Sequence, residues 1–283
     1  MKLPREVAVL GAGTMGVGIA RVFAEAGVSV RLCARRESSL EAARGRLGER
    51  AAQVRLTTSA DEALAGAELV IETIVEEIEP KRALLARVEE LTSPETILTT
   101  NTSSLPLNAL AGVLGRPERF AGLHWLNPPE LVDLVEVVGA ERTAPETLQT
   151  LAGWMEQLDK APVVVHRDVP GFVVNRLQYA LLREAYALVD AGVCTFADVD
   201  RAVTRGLGAR WAAIGPFETM DLAGLDVHAA VAANLWPELN NDSEPTPTIA
   251  RALESGSLRT IDPDALVARR DRVLRALKAA REA

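Results

Sequence analysis

Glu6-Val7-Ala8-Val9-Leu10-Gly11-Ala12-Gly13-Thr14-Met15-Gly16 decides the fold of this 283-residue chain. The apolar run 6–10 reads as a buried strand, the glycines as a turn, and residues 14–26 as a helix with an apolar face. That is G-x-G-x-x-G in strand-turn-helix context. Gly11 permits the tight turn, Gly13 lets a diphosphate approach the backbone, and Gly16 lets the helix sit close on the strand. The helix start offers unpaired N–H groups and the positive end of its dipole to the phosphates. Gly11, Gly13, Thr14, Met15 and Gly16 are therefore candidate dinucleotide contacts.

The next strand, 28–33, runs into Cys33-Ala34-Arg35-Arg36. An NAD-binding unit normally presents an acid here, about 20 residues past the glycines, for the adenosine ribose hydroxyl. Ala34 stands in its place. A carboxylate would repel a ribose 2′-phosphate, whereas Arg35 and Arg36 suit one through charge-assisted bonds. NADP is thus favoured over NAD, the other reading being a solvated arginine loop and NAD held without its usual acid.

Further along, a helix over 41–50 and strands at 54–57, 69–72 and 97–100 alternate with helices, as does a last strand at 162–165. Such alternation predicts an α/β, Rossmann-type doubly wound parallel sheet with helices on both faces. Its ligands lie beyond the carboxyl ends of the strands, where Asn101, Ser103 and His124 all fall. After Asp168 the pattern changes. Residues 172–191 read as one long amphipathic helix, and helices continue to the end with breaks at 206–208, 215–216 and 240–242. An Arg/Ala-rich surface helix is expected from Asp264. The expected domains are 1–168, binding the dinucleotide, and an all-α C-terminal domain, 169–283, for substrate and dimerisation.

Within the first domain, residues 122–138 read GLHWLNPPELVDLVEVV. Glu136 interrupts a strand-like apolar run, and a charge there is costly to bury unless paired. Histidine alone has an unperturbed pKa near neutrality, and a carboxylate on one ring nitrogen fixes which nitrogen stays basic. The spacing of His124 and Glu136 fits no helical face, so a reversal at Pro128-Pro129 would have to join them. A core histidine with a glutamate on an edge strand is the other reading.

The composition, 48% hydrophobic and 25% charged with net charge −8, is that of a globular protein. No basic block is present, which argues against nucleic acid and anionic membrane surfaces. Arg21 and Glu25 interrupt the first long apolar run, and MKLPRE leaves no room for a signal peptide before the first strand. Cys33 and Cys194 sit far apart, with no metal-type cluster, and suit a reducing cytoplasm.

Taken in order, GAGTMG, IVEEIEPK, NTSS, HWLNPP with LVEVV, VPGFVVNR and GPFETMDLAGLD resemble the L-3-hydroxyacyl-CoA dehydrogenase family along nearly the whole chain. The resemblance implies that His124 is the general base and Glu136 orients it. It implies that Ser103 bonds the substrate's 3-oxygen, that Asn175 lies beside the reacting group, and that Glu76 and Lys81 lie near the nicotinamide. Asn101 joins the cofactor candidates and Asn127 the substrate candidates. Two departures are visible. Members acting on CoA esters usually carry a long helical hairpin after the second strand, for which 36–59 is too short, and a Lys-Thr-Gly-x-Gly-Phe-Tyr stretch that 255–263 lacks. Residues 206–216 look like the subgroup that includes L-gulonate 3-dehydrogenase (lambda-crystallin) and carnitine dehydrogenase, which take small free acids.

These features lead to an NAD(P)-dependent oxidoreductase working on the 3-hydroxyl carbon of a small free hydroxy acid, with a CoA or carrier thioester as the alternative. Arg210 is the candidate fork for the substrate carboxylate. Its other reading is a tie between helices, or a pair with Asp221 across a dimer. A homodimer is expected, because a small helical domain has little core of its own. A rival is a structural protein that kept the fold and lost turnover, against which the joint presence of His124, Glu136, Ser103 and Asn175 argues.

Overall fold

The structure, a computed structural model, describes residues 2–255 and 262–282. Contacts divide the chain into Met1–Asn175 and Arg176–Ala283. The first unit runs β1 (Glu6–Leu10), α1 (Thr14–Glu25), β2 (Ser29–Cys33), α2 (Glu37–Leu47), β3 (Val54–Thr57), α3 (Ala60–Leu64), β4 (Leu69–Glu72), α4 (Ile78–Leu91), β5 (Ile97–Thr100) and α5 (Leu107–Ala111). It continues with β6 (Phe120–Trp125), β7 (Leu134–Gly139), α6 (Pro145–Gln157) and β8 (Ala161–Val165). The eight strands form one sheet in the order β3-β2-β1-β4-β5-β6-β7-β8.

Successive residues of β1 point to opposite faces, and both faces are covered. Val7 and Val9 join Ile19 and Phe23 of α1, Leu40 of α2 and Leu151 of α6. Ala8 and Leu10 join Leu64 of α3, Leu85 of α4 and Leu107 of α5 on the other side. The doubly wound reading therefore holds. The first six strands are all parallel, while β7 runs antiparallel to β6. Only residues 126–133 separate these two strands, too few for a crossover. Asn127-Pro128-Pro129 turns the chain back instead.

The second unit is helical. α7 (Val174–Asp190) leads into it, followed by α8 (Phe196–Ala202), α9 (Gly208–Trp211), α10 (Pro216–Ala223), α11 (Leu225–Leu235), α12 (Pro247–Ser255) and α13 (Pro263–Glu282). Two expectations need correction. The long helix begins at Val174, because Gly171 and Phe172 both take positive φ, 78° and 48°. Nor is 206–208 a break, since a π-turn over Val203–Leu207 carries the helical path from α8 into α9. The expected helix over 41–50 is α2, ending at Leu47, followed by a tighter turn over Gly48–Gln53. The break at 215–216 is present, with Pro216 opening α10 and Glu218 accepting the Gly215 N–H at 2.7 Å. Residues 256–261, which carry most of the stretch read as a missing motif, lie outside the described residues.

Among the described residues after Asn175, Ala232 is the only buried apolar side chain, while Phe217, Leu222 and Trp236 are 84%, 78% and 67% exposed. A helical unit with so little enclosed apolar surface is poorly supported by its own packing.

Candidate active site

His124 in β6 and Glu136 in β7 are directly opposed register partners. The turn at Pro128-Pro129 thus does what the spacing demanded. His124 Nδ1 lies 2.7 Å from Glu136 Oε2, with the glutamate fully buried and the histidine nearly so. The second carboxylate oxygen accepts the backbone N–H groups of Val173 at 2.8 Å and Val174 at 3.0 Å. Burial pushes the Glu136 carboxyl up, but the His124 bond and the two N–H bonds outweigh it, leaving it below the usual carboxylate range. Glu136 is therefore ionised at neutral pH. Its bond assigns the Nδ1 proton to His124 and leaves Nε2 as the basic nitrogen. The Phe172 ring meets the imidazole edge to face, centroids 5.6 Å apart.

Beside this pair, the loop after β5 is gathered by Glu76. Its Oε1 accepts Thr102 Oγ1 at 2.6 Å, the N–H groups of Ser103 and Ser104 at 2.9 and 3.1 Å, and Ser104 Oγ at 3.0 Å. The Ser103 hydroxyl lies 3.4 Å from the same oxygen. Burial raises the Glu76 carboxyl, yet the bonds from Thr102, Ser103 and Ser104 and the Lys81 charge bring it below its ordinary value. Asn175 Nδ2 donates to the Ser103 carbonyl at 3.3 Å, so these two candidates are brought together. Asn101 Oδ1 accepts the Trp125 N–H at 2.9 Å, tying the β5 loop to the residue after His124.

Lys81 was expected near the cofactor. Its ammonium is 1% exposed and sits 2.7 and 2.9 Å from the two oxygens of Glu72, itself fully buried, with Glu76 Oε2 at 3.5 Å. Thr100 Oγ1 and the Ile74 N–H also bond Glu72, at 2.5 and 2.6 Å. Lys81 here is enclosed by carboxylates and braces Glu76. Sequence reasoning missed Glu72, although a charge inside the apolar run LVIE is the same signal that marked Glu136.

The glycine loop fits a dinucleotide. Gly11 has φ 120°, and a Cβ there would meet Thr73 O at 2.7 Å, while one on Gly16 would meet Gly11 O at 1.8 Å. A Cβ on Gly13 would meet nothing within 4 Å, which leaves open space beside the uncapped start of α1. Thr14 is exposed and Met15 half-buried there. Thr73 Oγ1 pins the turn through the Gly11 carbonyl at 3.0 Å, and Arg46 Nη2 bonds the Ala12 carbonyl at 2.6 Å. Ala34 is buried at the end of β2, and Arg35 and Arg36 are exposed just after it. Asn127 is exposed in the turn after β6. Arg210 belongs to the second unit, exposed on α9.

Among the described residues no helix is long and apolar enough to cross a membrane. Nor, among them, do three or more His, Cys, Asp or Glu side chains gather where a metal ion could be held.

A sheet opened for a dinucleotide, with a ready proton carrier at its strand ends, is the framework of a nicotinamide-dependent oxidoreductase. The chain belongs to the 3-hydroxyacyl-CoA dehydrogenase family: residues 6–169 match that family's NAD-binding domain and residues 171–265 its C-terminal domain. It is 36% identical over 260 residues to 5-formyl-3-hydroxy-2-methylpyridine 4-carboxylate 5-dehydrogenase of Mesorhizobium japonicum, covering 87% of this chain and 84% of that protein. It is 39% identical over 236 residues to L-carnitine dehydrogenase of Streptomyces griseus, covering 78% and 70%. A crystal structure of 5-formyl-3-hydroxy-2-methylpyridine 4-carboxylic acid 5-dehydrogenase, described as an NAD+ dependent dismutase, superposes with a TM-score of 0.93 at 34% identity, covering 98% of each chain.

Proposed function

We propose that this protein carries out reversible hydride transfer at the 3-hydroxyl carbon of a small free hydroxy acid. The observation that carries the reading is the buried His124–Glu136 pair, 2.7 Å apart, which leaves Nε2 as the base. Bound nicotinamide supplies the hydride acceptor in oxidation and the donor in reduction. His124 takes the hydroxyl proton at Nε2, and Glu136 offsets the charge of the resulting imidazolium. In the reverse direction the same nitrogen returns the proton. Ser103 and Asn175 hold the reacting oxygen and polarise the carbonyl. Gly11, Gly13, Thr14, Met15 and Gly16 cradle the diphosphate, with Glu76, Lys81 and Asn101 shaping the nicotinamide end. The cofactor half is 1–168 and the substrate half 169–283, and the cytoplasm is the setting that suits both free cysteines.

Arg210 and Asn127 are assigned to the substrate, with Arg210 gripping the carboxylate. Support for a free acid comes from the 11-residue α2, the only α-helix between β2 and β3. It comes also from relatives whose names specify carnitine and a pyridine carboxylate. The thioester reading draws on the mitochondrial hydroxyacyl-coenzyme A dehydrogenase of Sus scrofa, 34% identical over 273 residues. Following absorbance at 340 nm with hydroxy acids, aromatic carboxylates bearing an aldehyde, and matched CoA esters tests the choice. The free acid should have the higher kcat/KM and lose at least about tenfold in Arg210→Met, one charge-assisted contact. A CoA ester that wins, with Arg210→Met treating both alike, overturns it.

The cofactor preference is NADP over NAD, on the strength of Ala34, Arg35 and Arg36. Fluorescence titration should find NADP bound tighter by about tenfold or more, the size of a bond worth about 1.5–3 kcal/mol. Equal or tighter binding of NAD returns the arginines to a solvated loop.

The working form is a homodimer through the helical unit, whose apolar side chains are so largely exposed in the single chain. Sedimentation at micromolar concentration should give twice the 30.3 kDa chain mass. A clean monomer rules the dimer out.

A further inference from the structure

Among the described residues only Asp159 and Phe172 combine a side chain with positive φ. A bulky aromatic is a poor occupant of that region, and such outliers persist where the surroundings over-determine them. Phe172 follows Gly171, also at positive φ, and its N–H donates to the Val169 carbonyl at 3.0 Å. Its apolar character extends the helical pattern of α7 backward, yet the helix starts only at Val174. What the left-handed residue gains is contact with the proton carrier. Its ring is 1% exposed and lies edge to face on His124, with centroids 5.6 Å apart and planes at 60°. The next two N–H groups, those of Val173 and Val174, are both delivered to Glu136 Oε1. One residue further, Asn175 reaches the Ser103 carbonyl.

We propose that Phe172 is a positioning residue for proton transfer: its ring fixes the plane of His124, and its left-handed backbone presents Val173 and Val174 to Glu136. The phenyl wall excludes water from one side of the imidazole and limits its rotation. Helical φ at 172 would swing the two N–H groups away from the carboxylate and leave Glu136 held by His124 alone. This rests on the reading of His124 as the acid–base group.

Two variants test the ring. Phe172→Gly keeps the left-handed conformation at no steric cost and removes the ring. Phe172→Leu keeps apolar volume and removes the aromatic face. With histidine-labelled enzyme, the hydrogen-bonded Nδ1 proton of His124 should give a low-field NMR signal, assigned by its absence in His124→Gln. The proposal expects that signal to broaden or vanish in both folded variants. It expects kcat to fall by about ten- to a hundredfold, the cost of a small misplacement, while KM and cofactor affinity stay within about twofold. An unchanged Nδ1 signal, or unchanged kcat with only a lowered melting temperature, makes Phe172 a core-filling residue and overturns the proposal. A rise in KM alone overturns it too. Should the wild-type enzyme turn over none of the hydroxy acids, the functional reading fails while the NMR comparison still decides the role of Phe172.

Discussion

His124→Gln is expected to lower the rate of the chemical step by about 10²–10⁴-fold, the usual contribution of a positioned general base. Glutamine keeps much of the side-chain volume and can still donate to Glu136, so the carboxylate remains partnered and the fold should be preserved. Cofactor affinity should also be preserved, because the glycine loop at Gly11–Gly16 contributes its contacts from the end of β1, three strands across the sheet from His124 in β6. What glutamine cannot do is accept a proton. Glu136→Gln should lower the rate in the same direction, since a neutral amide no longer offsets the imidazolium. Rapid-mixing absorbance at 340 nm, paired with thermal unfolding and cofactor titration, separates these effects. Near-normal turnover in His124→Gln would make this a core histidine packed beside Phe172.

The largest stability effect is expected at a position with no direct part in chemistry. Lys81→Met strands the fully buried Glu72 carboxylate, which keeps only Ile74 N–H and Thr100 Oγ1 as partners. Breaking a buried ion pair by removing one member costs about 3–5 kcal/mol, because the remaining charge stays out of water unpaired. Urea unfolding should register that loss. The double variant Lys81→Met/Glu72→Gln should recover much of it, since glutamine is neutral, its carbonyl can accept the Ile74 N–H, and its amide N–H can donate to the Thr100 hydroxyl, which rotates to accept. A single variant as stable as wild type would mean that the pair is dispensable. Because Lys81 also braces Glu76, the single variant should loosen the Ser103 loop as well.

Much of the fold was readable because its signals are local. Gly11, Gly13 and Gly16 between an apolar strand and an apolar-faced helix admit few other structures. The His124–Glu136 pair was readable for another reason: a charge inside an apolar strand asks for a partner, and Pro128-Pro129 limits where that partner can be. Glu72 carried the same signal, but its partner lies on α4, nine residues on, and helical spacing gives no sign of a contact back to the strand. Phe172 was misread because its apolar period continues α7 backward, whereas its conformation is set by contact with His124 and the core. Gly206 and Gly208 suggested a break, yet Gly206 lies within the π-turn and Gly208 opens α9, so the backbone hydrogen bonds run on through both.

The most direct test of the mechanism follows the hydrogen itself. A hydroxy acid carrying deuterium on its carbinol carbon is mixed with enzyme and oxidised cofactor, and the reduced cofactor is recovered for mass analysis. Hydride transfer with His124 as base predicts deuterium in the nicotinamide ring with wild-type enzyme, and transfer slowed by about 10²–10⁴-fold with His124→Gln. Reduced cofactor without the label, or label arriving equally fast in both enzymes, would contradict it.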